Sequence, residues 1–129
     1  MVDLLLTHML LNSSTNFVSI QSHDSAYPPL LRQISDAPKR LFASGQLLDP
    51  HDSYIAIVGT RRTGPYGKKI AHDFAVVLAR CGFVIVSGLA LGIDTAAHAA
   101  ALHAGGKTIA VLGSGLNTIT PPCNVGLAE

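Results

Sequence analysis

The sequence predicts an α/β fold: a Rossmann-like parallel sheet built as a βαβαβ unit, incomplete at its C-terminus and preceded by a small N-terminal lead-in. Two observations carry this. Three apolar runs, Tyr54-Ile55-Ala56-Ile57-Val58, Phe83-Val84-Ile85-Val86 and Thr108-Ile109-Ala110-Val111-Leu112, are continuous rather than alternating, as strands covered on both faces are. Each run ends in small residues, at Gly59-Thr60, Ser87-Gly88 and Gly113-Ser114-Gly115, and the stretches between them have helical spacing and glycine stops. Parallel strands place such loops along one edge, where open α/β sheets bind ligands.

Composition sets the frame. A chain of 129 residues is one domain's worth, and 48% apolar with 13% charged is far from a disordered composition. Trp is absent and aromatics are 5%, so the core is expected to be aliphatic and alanine-rich. The net charge of +1 is neutral on nucleic acid, but its distribution is not. No acidic residue lies between Asp52 and Asp73, where Arg61, Arg62, Lys68 and Lys69 fall. Cys81 and Cys123 have no metal-ligand spacing and read as reduced thiols in a cytoplasmic protein. The apolar start lacks a basic n-region and is too short to span a bilayer, which argues against a signal peptide, an anchor or a membrane partner.

Two units are expected, a lead-in and cap over residues 1–52 and the first half of a Rossmann-like domain over 53–129. In the lead-in, Leu4, Leu5, Met9 and Leu11 suggest a helix over Met1–Asn12, followed by a polar loop to Asn16. Phe17–Ile20 reads as a strand, Pro29 as the first position of a helix through Ile34, and Arg40–Ser44 as extended. Too few apolar residues are present for a separate core, so this segment is expected to lie against the sheet as a cap. From Gly64-Pro65 a helix runs to about Arg80, with Ile70, Phe74, Val77, Leu78 and Cys81 as its sheet-facing side and Gly82 as its stop. The alanine-rich helix from about Thr95 to Ala104 is narrow and ends at Gly105-Gly106. Right-handed crossovers put both helices on one face. The opposite face, with aliphatics from Ile55, Ile57, Ile85 and Ile109 or their neighbours, is then expected to lack cover, which favours association.

The loops carry anion chemistry. Glycines let backbone N–H groups approach a phosphate, and a helix N-terminus adds unpaired donors and partial positive charge. Arg61 follows a strand directly and can grip a phosphate through two parallel hydrogen bonds. A solvated loop arginine is the plainer alternative; the neighbouring Arg62, Lys68 and Lys69 tilt the balance toward a phosphate site. Asp94 is expected to cap the second helix by accepting from Ala96 or Ala97. His98 lies one turn on and is expected to pack beneath the loop and bond its backbone rather than form an acid–base pair. No nucleophile elbow, Walker A loop or metal set is present, and the dinucleotide fingerprint is weak, so neither catalytic residues, cofactor nor metal are assigned.

The order YPPLL, VGTR with a following YG, SGLALGIDTAAH, GGKTIAVLGSGL and a Pro-x-x-Asn turn resembles the DNA processing protein A (DprA, or Smf) family, over about Phe17 to Leu127. The pattern departs from the family at Asn117 and Thr120, where an acidic residue and a tyrosine are usual. The resemblance implies a truncated member covering the N-terminal part of an extended Rossmann-like domain. It implies binding of single-stranded DNA in natural transformation, protection of incoming strands, assistance in loading the RecA recombinase, and homodimerisation in the full-length family. It places Gly59, Thr60 and Arg61 on the DNA backbone, with Ser87, Gly88, Gly113, Ser114 and Gly115 lining the same pocket. With Arg62 and Lys68 from the basic stretch, these form the candidate DNA- or phosphate-binding set. Two other readings stand beside it: a nucleotide enzyme similar to Rossmann-like phosphoribohydrolases, and an inactive fragment. The first lacks that group's Pro-Gly-Gly-x-Gly-Thr loop, and the sole glutamate is Glu129.

Overall fold

A computed structural model describes residues 2–7, 17–46, 49 and 51–129. The described strands form one six-stranded mixed sheet in the order β2-β3-β1-β6-β5-β4. Its parallel part is the expected unit: β4 (Ser53–Ala56), α1 (Pro65–Arg80), β5 (Phe83–Ser87), α2 (Ile93–His103) and β6 (Thr108–Leu112). β5 pairs in parallel with both β4 and β6. The punctuation works as read: Gly64 precedes Pro65 at the start of α1, and Gly82 (φ 88°) and Gly105 (φ 74°) follow the helix ends in the left-handed conformation.

The lead-in departs from expectation. Where a helix over Met1–Asn12 was expected, Val2–Thr7 is strand β1. It pairs in parallel with β3 (Arg40–Ser44) and antiparallel with β6, so its backbone groups are taken up on both sides. Six residues with four apolar among them carry no helical period of their own, and two waiting strand edges decide the matter. The polar loop expected to end at Asn16 lies outside the described residues. β2 (Phe17–Gln21) pairs antiparallel with β3, and the helix expected after Pro29 is only a 3-10 turn over Leu31–Gln33. The lead-in's strands therefore extend the sheet, while the segment between β2 and β3 covers one of its faces.

That cover corrects the picture of a bare sheet face. Tyr27 is fully buried among Ile20, Leu41, Val84 and Ile109, on the side away from the helices, with Val86 and Val111 packed against the same cluster. Its hydroxyl donates to the Pro38 carbonyl at 2.7 Å, which removes the polar penalty of burying a tyrosine. On the helix side Ile85 is fully buried, and Ile55 and Ile57 pack toward the alanines of both helices. Full burial of side chains such as Ile85 and Leu41 is worth about 1.5–3 kcal/mol each.

The orientation of α1 is the second correction. Its buried stripe is Ala71, Ala75 and Ala79, not the larger apolar series. These small residues let α1 close on Ala97, Ala100 and Ala101 of α2, and a Cβ on Gly106 would come within 2.7 Å of Ala79 Cβ. Phe74 and Val77 are each 60% exposed, and Ile70 and Cys81 are also exposed. Leu78 alone of that series packs inward.

Candidate nucleic-acid interface

The parallel strands deliver their C-terminal ends to one edge, and the loops there behave differently from one another. The loop after β4 holds Gly59, Thr60, Arg61 and Arg62. It rests on the start of α2: Ile93 N–H donates to the Thr60 carbonyl at 3.3 Å, and a Cβ on Gly59 would stand 2.7 Å from Ile93 Cγ1. From the other side, Gly92 (φ 87°) comes so near that a Cβ there would meet the Thr60 carbonyl at 2.3 Å. Only glycine tolerates both that angle and that approach. Thr60 Oγ1 accepts from Arg62 N–H at 3.2 Å and closes the turn.

This leaves the cations outward. Arg61 and Arg62 are exposed, and no described residue pairs with either guanidinium. Lys68, in the first turns of α1, is likewise exposed and without an acidic partner among the described residues. Lys69 is different. It pairs with Asp73 one turn on, and Lys69, then His72, hold the Asp73 carboxyl below its ordinary range. Of the two lysines, Lys68 alone keeps its charge uncommitted.

The loop after β5 overturns the expectation of an open anion cradle. Ser87 is buried and its hydroxyl donates to the Ile57 carbonyl at 2.7 Å. Gly88 N–H donates to the Asp94 carboxylate at 3.1 Å. Leu89 N–H donates to His98 Nε2 at 3.3 Å, and the Leu89 carbonyl accepts from Asn124 Nδ2 at 2.8 Å. The Ala90 carbonyl accepts from both the N–H and the hydroxyl of Thr95. The Gly88 and Leu89 donors are spent internally, and Asp94 supplies the negative charge that an anion would have brought. Ser87 and Gly88 thus shape the edge but do not offer it hydrogen-bond donors.

Asp94 is accordingly not the helix cap. The N-cap of α2 is Gly92, without a side-chain cap, and Asp94 sits in the first turn with its carboxylate turned back to Gly88. The acidic group still meets the positive end of the helix there. His98 lies beneath the loop and bonds its backbone, as the spacing suggests. Thr108 Oγ1 donates to the Ile85 carbonyl at 2.8 Å, so it must accept from His98 Nδ1–H at 2.6 Å. Nε2 is then unprotonated and free to accept from Leu89. Burial pushes the His98 pKa down to about 4, the nearby Asp94 charge opposing it.

Asn124 was missed in the sequence except as part of a turn. Besides the Leu89 carbonyl, it donates to Thr95 Oγ1 at 2.8 Å and is buried. Leu89 itself has φ 58° and is 1% exposed, a left-handed non-glycine held by partners on both sides. The one signal for Asn124 is its place in the run Pro121-Pro122-Cys123-Asn124, where a 3-10 turn points its amide inward.

The loop after β6 is open again. Gly113 and Ser114 are exposed, Gly115 has φ 86°, and no described residue bonds the Ser114 hydroxyl. With β5 between them, the loops after β4 and β6 stand two strand spacings, about 10 Å, apart. The edge therefore presents Arg61, Arg62, Lys68 and the Gly113–Gly115 backbone around a closed centre. Among the described residues no group of His, Cys, Asp and Glu could hold a metal ion, and no helix is long and apolar enough to cross a membrane.

Comparison with known proteins places this geometry. The model of the family described as DNA recombination-mediator protein A matches residues 18–129. Protein Smf of Escherichia coli is 45% identical over 84% of this chain, which spans 29% of that protein. DNA processing protein DprA of Streptococcus pneumoniae is 45% identical over 88% of this chain, which spans 40% of it. The X-ray structure of Streptococcus pneumoniae DprA superposes with a TM-score of 0.81 at 46% identity, over 87% of this chain and 39% of that one. A structure of DNA processing protein A from Helicobacter pylori, described for its single-stranded DNA binding mode, gives 0.65 at 31% identity, over 91% and 52%. The chain thus spans well under half the length of the curated relatives it matches. With the αβ architecture, the loop sequences and the superposition in agreement, the chain belongs to the DNA recombination-mediator protein A family.

Proposed function

We propose that this chain binds single-stranded DNA along the C-terminal edge of β4–β6, as a DNA-binding and not a catalytic module, in the processing of DNA taken up during transformation. The observation that carries the reading is the loop after β4. It is clamped against α2 by Gly59, Gly92 and Thr60, yet it holds two arginines whose charge the described fold does not use. Arg61 acts as the bidentate phosphate grip, with Arg62 and Lys68 beside it and the Gly113, Ser114 and Gly115 backbone as a second contact across β5. Protection of the strand, loading of RecA and dimerisation of the longer relatives are proposed beside it on the family resemblance alone.

Backbone grips and cations do not read bases, so sequence preference is slight. Three cations on phosphates give a log–log salt slope of about −2 at roughly −0.7 per contact. Fluorescence anisotropy with a labelled oligothymidylate, the matching duplex and a mononucleotide as competitors tests this. Preference for the single strand with a slope near −2 is expected; preference for duplex, effective competition by the mononucleotide, or a slope near zero overturns it.

A further inference from the structure

The middle of the proposed DNA edge is built against phosphate. Gly88 N–H is taken by the Asp94 carboxylate and Leu89 N–H by His98. At the start of α2, Ile93 N–H donates to the Thr60 carbonyl and Thr95 N–H to the Ala90 carbonyl. Asp94, 6% exposed, adds negative charge beneath them, so an anion over the centre meets repulsion and finds these donors spent. What the loop turns outward instead is apolar. Leu89 is buried, whereas Leu91 is 47% exposed. Gly92 brings it to the Arg61 turn, since a Cβ on Gly92 would stand 2.9 Å from the Arg61 carbonyl oxygen. Single exposed leucines are common on any surface. This one stands on the loop after β5, between two phosphate-competent loops about 10 Å apart. A stacked nucleotide rises only about 3.4 Å, so a strand gripped at both flanks lays at least one nucleotide over the centre.

We infer that Leu91 is a nucleobase contact: the strand crosses the centre of the edge with a base, not a phosphate, turned to the protein, and that base lies against the leucine side chain. The inference rests on the DNA reading above and deepens it by assigning the subsite between the two grips. Every base has an apolar face, and leucine is among the side chains that pack against bases without reading their edges. The contact therefore adds affinity without sequence preference. Asp94 acts in the same sense, because a neutral base is indifferent to the charge that turns a phosphate away.

The test compares the parent, Leu91→Ala and Leu91→Phe for binding of a labelled oligothymidylate and of an abasic strand of equal length, by fluorescence anisotropy over a salt series. The abasic strand keeps the phosphates and lacks the bases. The parent should bind it about fivefold more weakly than oligothymidylate. Leu91→Ala should lose about fivefold on oligothymidylate and nothing on the abasic strand, at an unchanged salt slope, because no charge is touched. Leu91→Phe should bind oligothymidylate at least as tightly as the parent, since a ring stacks on a base. Circular dichroism of both variants should match the parent, as the side chain is half exposed. Equal losses on both strands would make Leu91 a support of the loop and overturn the inference. Full binding by Leu91→Ala, or a parent that holds both strands alike, overturns it too while the phosphate grip stands. A parent that binds neither strand overturns the DNA reading itself, and this inference with it.

Discussion

His98 ties the stability of the loop to pH, and the size of the effect follows from its bonds. In the folded chain the imidazole is neutral because both nitrogens are committed: Nδ1–H to Thr108 Oγ1, and the bare Nε2 to Leu89 N–H. A proton on Nε2 would set two donors against each other in a site that is 1% exposed. Burial pushes its pKa from 6.5 down to about 4, with the Asp94 charge opposing the shift. Between those values the unfolded chain carries a proton at this position that the folded chain does not, so stability rises with pH. The contribution is complete above about pH 6.5 and is lost as the pH falls toward 4, amounting to roughly 3 kcal/mol at 1.36 kcal/mol per unit. Urea denaturation at pH 7, 6, 5 and 4 measures it, with His98→Gln as reference, since the carboxylates that also titrate are common to both chains. The parent is more stable at pH 7, and its advantage shrinks by roughly 3 kcal/mol by pH 4. Parallel stability curves, or an imidazole that titrates near 6.5 by nitrogen-15 NMR, would refute the reasoning.

Three other outcomes are expected. Arg61→Ala weakens single-strand binding at least tenfold, matching the about 1.5–3 kcal/mol of a charged hydrogen bond, and makes the salt slope shallower by about 0.7. Arg61→Lys recovers only part of this and Arg62→Ala loses less, all by anisotropy; equal losses for Arg61→Ala and Arg62→Ala would reduce the clamp to diffuse charge. Gly92→Ala sets a side chain into the Thr60 carbonyl at a left-handed φ and costs at least about 2 kcal/mol in a thermal or urea melt. Asn124→Ala strips the Leu89 carbonyl of its donor, costs about 1–3 kcal/mol, and speeds hydrogen exchange at the loop amides more than at those of β5.

The βαβαβ unit was legible because its cues are local: unbroken apolar runs, and glycines at Gly82 and Gly105 that only a helix end explains. What failed to show depended on distant partners. Val2–Thr7 is a strand through its pairing with β3 and β6, which a six-residue stretch with four apolar residues does not announce. The alanine stripe of α1 outcompetes Ile70 and Phe74 for the interior because α2 presents alanines in return, a match between two helices that neither displays alone. At the site, the outward arginines follow from the turn and were readable. The closing of the Gly88 loop was not, because Asp94 could face either the helix amides or the glycine, and Asn124 arrives from 35 residues away.

The place of β1 also fixes a sequence of events. It is synthesised ahead of the other described strands, yet one of its two neighbours in the sheet is the last of those described, with Leu5 set opposite Ala110. At about 5–20 residues per second a ribosome needs on the order of 5–20 s to deliver that neighbour. Until then β1 can join only the β2–β3 side, while β4 and β5 assemble as a separate piece. β6 is the strand through which these two pieces become one sheet. Nascent chains halted before Thr108 should therefore remain in two parts, and completing that one strand should bring cooperativity to the whole.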